Sequence, residues 1–83
     1  MPSRCSVYVL KSTVDGTHYY VGSTSDVTTR LAAHNAGVCA HTRKYRPWQL
    51  HVRIEFPDEA RACAFERFLK SGSGRAFAKR HFD

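Results

Sequence analysis

The chain has 83 residues, 42% of them hydrophobic, and thirteen Lys and Arg against seven Asp and Glu give a formal net charge of +6 at pH 7. This length predicts one small domain over residues 1–83, because a chain divided in two would leave each part with too little buried surface. The hydrophobic share excludes wholesale disorder. The positive charge favours an anionic partner, and nucleic acid fits better than an anionic membrane surface because the basic residues are scattered.

Targeting segments and cysteines indicate the cellular setting. No run approaches the roughly 20 apolar residues of a membrane-spanning helix, and residues 1–4 lack the apolar core of a signal peptide. The cysteines at positions 5, 39 and 63 are widely spaced and odd in number, so we expect reduced thiols. A zinc site that uses Cys39 and His41 is the less favoured alternative. The sequence therefore predicts a cytoplasmic protein with no membrane partner.

The first quarter of the chain predicts a β-hairpin. Residues 5–11 and 18–23 are rich in Val and Tyr, as strands are, and the turn pair Asp15-Gly16 lies between them.

A helix is expected next, beginning at Ser25 or Asp26 and stopping at Gly37. Its apolar side would consist of Val27, Leu31 and Ala32. Residues 38–47 follow no clear period and end in a proline, so they predict a long loop.

The second half of the chain predicts one strand and two helices. In residues 48–56 apolar and polar side chains alternate, which is typical of a strand with one buried face. A helix capped by Asp58 should run to Ser71 and Gly72, with Ala62, Phe65 and Leu69 at helical spacing, and a last helix should span residues 75–82. The order β-β-α-β-α-α predicts an α+β fold, a small antiparallel sheet with helices packed on it.

Four polar side chains of the first half could act on a phosphate. Arg30 and His34 stand four residues apart on the predicted helix and share a face, although a solvated helix surface is the ordinary alternative. Tyr8 and Tyr20 lie in the middle of strand-like runs and could be core aromatics. As bases they would need their pKa lowered by nearby cations, such as Arg30 or a metal ion.

Glu66 is the candidate metal ligand. A single carboxylate completed by water and a substrate phosphate suits magnesium, which resists dehydration. The alternative is an ordinary ion pair with Lys70, four residues along the same helix.

Two basic segments could contact a nucleic-acid backbone. Residues 42–48 interleave Arg43, Lys44 and Arg46 with aromatic side chains, a pattern suited to phosphates and unstacked bases. Residues 71–75 resemble a flexible phosphate-contacting loop flanked by Lys70 and Arg75, but they could equally form a plain corner between two helices.

Taken together, these positions resemble the GIY-YIG nuclease superfamily, in particular small stand-alone members related to the N-terminal nuclease module of the excision-repair protein UvrC. Residues 6–8 (Ser-Val-Tyr) stand where the family has Gly-Ile-Tyr, and residues 20–22 (Tyr-Val-Gly) stand where it has Tyr-Ile-Gly. Arg30, His34 and Glu66 follow at the family's positions. The resemblance covers nearly the whole chain and implies a three-stranded antiparallel sheet.

The resemblance also implies an activity, which is hydrolysis of DNA phosphodiester bonds by a structure- or damage-directed endonuclease. Glu66 would hold one Mg²⁺ or Mn²⁺ ion, Tyr20 with Tyr8 or His34 would activate or orient water, and Arg30 would stabilise the phosphate. Two alternatives stay open: a nucleic-acid-binding module that does not cleave, and an accessory nuclease subunit targeted to DNA by a protein partner.

Overall fold

A three-stranded antiparallel sheet lies at the centre of the computed structural model, which describes residues 4–14 and 16–82. Strand β1 (Cys5–Ser12) lies between β2 (Tyr19–Thr24) and β3 (Trp48–Phe56). The described residues also form helices α1 (Val27–Asn35), α2 (Ala40–Arg43), α3 (Glu59–Lys70) and α4 (Gly72–His81). The α+β class and the order of the main elements are confirmed, and the short helix α2 lies within the segment predicted as a loop.

The central strand β1 is covered on both faces. Its residues 5–10 are all buried, and residues 6–10 are paired with a strand on either side. Val7 and Val9 pack with α3 and α4, whereas Tyr8 and Leu10 pack with α1 and Trp48. Two small cores therefore lie on opposite faces of one sheet.

A β-bulge in β3 contradicts the prediction that this strand buries one continuous face. Val9 lies opposite Val52 and Leu10 lies opposite Leu50, so His51 is an extra residue in β3. Directly opposed residues share a face, which places Leu50 with Leu10 and places Val52 with Val9 on the other face. Leu50, predicted to be buried, is 41% exposed.

Each of the three longer helices begins at a residue whose side chain accepts a hydrogen bond from the backbone of its first turn. Asp26, rather than Ser25, caps α1 through the Thr29 amide, and Asp58 caps α3 as predicted. The side chain of Ser71 accepts from the Gly74 amide and starts α4 three residues earlier than expected.

Residues 71–75 therefore form the corner between two helices, which is one of the two interpretations that the sequence left open, and they do not form a flexible loop. Gly74 is buried, and a Cβ atom there would overlap the carbonyl group of Phe68. At the other expected turn, Asp15 lies outside the described residues, and Gly16 has a φ of 69°. Among the described residues no helix is long and apolar enough to cross a membrane.

Candidate active site at the edge of the sheet

A chain of three hydrogen-bonded side chains connects the central strand to helices α1 and α2. The hydroxyl of Tyr8 lies 3.1 Å from Nε2 of His34, and Nδ1 of His34 lies 2.8 Å from Oγ1 of Thr42. Thr42 Oγ1 also donates to the carbonyl oxygen of Cys39 at 3.4 Å. Since this hydroxyl has one proton, we assign the ring proton of His34 to Nδ1, and Nε2 accepts the proton of Tyr8.

The second tyrosine lies against the same histidine. The ring centroids of Tyr20 and His34 are 4.7 Å apart, and those of Tyr20 and Tyr8 are 6.2 Å apart. Tyr8 and His34 are 1% and 2% exposed, whereas Tyr20 is only partly buried. Tyr20 is therefore the member of this cluster that a ligand can reach from solvent.

Gly22 makes room for the Tyr8 side chain. The two residues lie opposite each other on β2 and β1, and a Cβ atom at position 22 would stand 2.6 Å from the Tyr8 hydroxyl oxygen. A side chain at this position would displace the phenol or the strand.

Burial determines the protonation states of the buried pair. Burial, followed by the effect of Tyr20, raises the pKa of Tyr8 to about 12. Arg30 acts to lower this pKa, as the sequence analysis considered, but its effect is smaller than that of burial. Burial and the charge of Arg30 both lower the pKa of His34. At neutral pH Tyr8 is protonated and His34 is an uncharged acceptor.

Glu66 contacts strand β2 from the face of the sheet opposite to Tyr8 and His34. Its Oε1 accepts a hydrogen bond from Ser23 at 2.6 Å, and its Oε2 lies 2.6 Å from Nζ of Lys70. Partial burial acts to raise the pKa of Glu66, but the hydrogen bonds from Lys70 and Ser23 outweigh it and hold the pKa below its ordinary value. Glu66 is therefore a carboxylate at neutral pH, and the ion pair with Lys70, which the sequence analysis gave as the alternative to a metal ligand, is present.

Neighbouring residues of β2 thus connect the two halves of the site. Gly22 contacts Tyr8 on one face, and Ser23 binds Glu66 on the other. Because β2 is an edge strand, a ligand at this edge of the sheet can approach the residues on both of its faces. The negative charge of Glu66 is a minor cause of the raised pKa of Tyr8, after burial and Tyr20.

Arg30 lies beside this edge. It lines a cavity of about 340 Å³ together with Ser23, between the end of β2 and the first turn of α3. Its charge acts on both Tyr8 and His34. Of the five predicted catalytic residues, the structure brings Tyr8, Tyr20 and His34 into contact, and it places Arg30 and Glu66 near enough to affect the pKa of Tyr8.

The predicted nucleic-acid-binding residues fall into two separate groups. Arg43 donates to the carbonyl oxygen of Gly37 at 2.9 Å, and the Arg46 guanidinium lies against the same glycine. Both arginines therefore make contacts within the protein just after the end of α1. Lys44 lies over the ring of Tyr45. The other group, Lys70 and Arg75, lies at the junction of α3 and α4.

Three residues that contact the site were given no role by the sequence analysis. Thr42 holds His34, Gly22 accommodates Tyr8, and Ser23 binds Glu66. Gly22 is the last residue of the Tyr-Val-Gly motif and Ser23 follows it directly, so the motif is a signal that points to both. No local pattern indicates the contact of Thr42 with His34, because these two residues lie 8 positions apart on different helices.

The residues of the site fit one strongly hydrated divalent ion. No group of three or more His, Cys, Asp and Glu side chains that could enclose a metal occurs within residues 4–14 and 16–82. Glu66 offers one ionised and partly buried carboxylate, which matches the preference of magnesium for few protein ligands and several waters. The three cysteines are free thiols.

Residues 4–80 match the family model of the GIY-YIG catalytic domain, and the chain belongs to this family. Among its relatives, a UPF0213 protein of Listeria welshimeri is 51% identical over 64 residues, which cover 76% of this chain and 69% of the relative. The solution NMR structure of a UPF0213 protein from Bacillus halodurans is 31% identical, with a TM-score of 0.55 over 92% of this chain and 80% of that one.

Longer relatives carry a functional name. The structure-specific endonuclease subunit SLX1 of Chaetomium globosum is 36% identical over 77 residues, covering 86% of this chain and 24% of the relative. The SLX1 of Scheffersomyces stipitis is 38% identical over 73 residues, covering 80% and 22%. The chain thus spans about a quarter of the length of these SLX1 relatives.

Proposed function

We propose that this chain is a divalent-metal-dependent endonuclease that hydrolyses phosphodiester bonds in DNA at a structural feature of the duplex. The observation that carries the proposal is the contact cluster of Tyr8, Tyr20 and His34 beside the edge strand β2. Glu66 is bound to Ser23 of the same strand, and the charge of Arg30 acts on Tyr8 and His34. Membership of the GIY-YIG family and the name of the SLX1 relatives support this reaction.

Each group has a role that follows from its surroundings. Tyr20, which solvent can reach, orients the attacking water, and Arg30 donates hydrogen bonds to the phosphate oxygens as negative charge develops. Glu66 would hold Mg²⁺ or Mn²⁺, which when bound supplies Lewis acidity at the phosphate.

Tyr8 and His34 support Tyr20 from the interior of the protein. Both are buried, and the Tyr8 proton points at the uncharged Nε2 of His34. They fix the position of the Tyr20 ring, which is how they assist it in orienting water. A pKa of about 12 makes Tyr8 itself a hydrogen-bond donor rather than a base at neutral pH.

A protein partner that selects the DNA is part of the proposal. The SLX1 relatives are named as subunits, and this chain covers about a quarter of their length. We propose that residues 1–83 form one nuclease domain and that recognition of particular DNA structures relies partly on such a partner. A cytoplasmic location stays a prediction from the sequence.

The test is cleavage of labelled single-stranded, nicked, flapped and branched DNAs with magnesium or manganese, comparing wild type with Glu66→Gln. The amide still accepts the hydrogen bond of Ser23 but cannot hold the ion as a carboxylate, so we expect activity to vanish. Glu55→Gln is the matched control, because Glu55 is exposed on β3 and its carboxylate forms an ion pair with Arg4 at 3.0 Å. Equal cleavage by all three proteins would contradict the proposal, and metal-independent binding without cleavage would favour a binding module.

A further inference from the structure

A second cavity adjoins the candidate active site. It is a groove of about 480 Å³ between the beginning of β2 and the junction of α3 and α4. Its floor is apolar and includes Val9, Val21 and Leu69. It lies on the α3 side of the sheet, where Glu66 also lies.

The rim of the groove is basic. Lys70, Arg75 and Lys79 line it, and all three residues are exposed. No Asp or Glu is among the described residues that line the groove. An apolar floor under a one-sided positive rim suits a ligand with a flat apolar part and a negative group.

An aromatic side chain stands at one end. Tyr19 is 41% exposed, the His51 ring packs against it at a centroid distance of 5.5 Å, and Lys11 Nζ lies 5.8 Å from its ring centroid. These neighbours hold the ring in place at the wall of the groove. Nucleobases stack on such rings without regard to sequence.

The groove is continuous with the site of the proposed reaction. Tyr20 lines it, and so does Lys70, whose Nζ is bonded to Glu66. A nucleotide in the groove would therefore lie next to a phosphate held at the edge strand.

We propose that this groove binds one unpaired nucleotide of the DNA strand, with the base against Tyr19 and the apolar floor and the phosphates at Arg75 and Lys79. The volume of the groove lies in the range of pockets that hold one small molecule. A base pair is too large for it, so a base must leave the duplex before it can enter the groove. This inference rests on the proposed function and narrows its substrate class to DNA with an unpaired nucleotide beside the cut.

The test is equilibrium binding of a labelled ten-nucleotide thymidine strand and of a duplex of equal length, in EDTA so that no turnover occurs. For Tyr19→Ala we expect about a tenfold loss of affinity for the single strand, from the loss of one stacking partner, and a change below about twofold for the duplex. Tyr19→Phe keeps the ring and should bind like wild type.

The contribution of the basic rim to binding is tested separately, at an exposed helix position where a substitution does not endanger folding. Lys79→Gln should weaken single-strand binding more than Arg61→Gln, which removes the same charge from the far end of α3. NMR amide shifts on adding a thymidine trinucleotide should cluster at the groove. Equal losses in Lys79→Gln and Arg61→Gln, shifts elsewhere, or no effect of Tyr19→Ala would each overturn the groove assignment.

The two proposals fail differently. If Glu66→Gln abolishes cleavage while Tyr19→Ala binds single strands normally, the nuclease stands and the groove assignment falls. If no form cleaves DNA while Tyr19→Ala loses single-strand binding, the groove stands as a nucleotide site and the nuclease falls.

Discussion

The hydroxyl of Tyr8 lies 3.1 Å from Nε2 of His34, and this contact joins the central strand to helix α1 in the interior of the protein. Neither side chain is accessible to solvent, and His34 is held from its other side by Thr42. The imidazole therefore has a fixed position and tautomer before any substrate binds. Such preorganisation is what electrostatic catalysis requires, because the groups need not be rearranged during the reaction.

Thr42→Val should destabilise the protein and impair cleavage. Valine has nearly the same shape, but it leaves the buried Nδ1–H of His34 without its acceptor. We expect a loss of about 1–3 kcal/mol in the free energy of unfolding, which thermal denaturation would detect. Thr42→Ser, which keeps the hydroxyl, is the control. Identical melting temperatures for the two variants would show that the hydrogen bond is unimportant.

Gly22→Ala should reduce activity by displacing Tyr8, because the added methyl group would stand 2.6 Å from the phenol oxygen. Overpacking of this kind costs about 1–3 kcal/mol, so the melting temperature should also fall. Gly72→Ala is the matched substitution, since a Cβ there meets nothing within 4 Å. The steric account is refuted if both alanine variants melt and cleave like wild type.

Stability should decrease as the pH falls from 7.5 to 5.5, in part because of His34. Its pKa is lowered in the folded protein by burial and by Arg30, so the unfolded chain binds the proton first as the pH passes about 6.5. The lowered carboxylate pKa values of Asp26 and Glu66 act at more acidic pH. Denaturant unfolding at the two pH values should give a smaller decrease for His34→Gln than for wild type, and an equal decrease would disprove the contribution.

Asn35→Ala should loosen the attachment of α1 to β3. The Asn35 side chain accepts from the backbone amide of Trp48 at 2.6 Å and donates to its carbonyl oxygen at 3.0 Å. Losing both bonds at a partly buried position should lower the free energy of unfolding by about 1–3 kcal/mol in urea titrations. Gln49→Ala, an exposed neighbour on β3, should change it by less than about 0.5 kcal/mol. Similar effects of the two substitutions would argue against the anchor.

Local signals predicted the elements well, and family motifs predicted which residues meet. The caps Asp26 and Asp58 and the alternation in residues 48–56 depend on short-range physics, so they were readable from the sequence. The helix side assigned to α1 was only partly right. Val27 is buried as expected, but Ala32 is exposed and His34 is buried, because the contacts to Tyr8 and Thr42 compensate the polar ring.

Other features depend on contacts between distant residues and leave no local trace. The bulge at His51 does not interrupt the apolar alternation, so the sequence alone cannot show that Leu50 and Val52 face opposite sides. The close approach of Gly74 to Phe68 is likewise set by how α4 packs on α3. For the same reason the sequence could not decide between a loop and a helical corner for residues 71–75.

The double coverage of β1 has a consequence for hydrogen exchange. Backbone amides of Val7, Tyr8, Val9 and Leu10 lie in a strand that is paired on both sides and packed on both faces. Local unfolding of one neighbouring strand or helix leaves the other neighbours of β1 in place. These amides should therefore exchange with deuterium only when the whole molecule unfolds. Their exchange rates would then report the free energy of global unfolding in water, without denaturant.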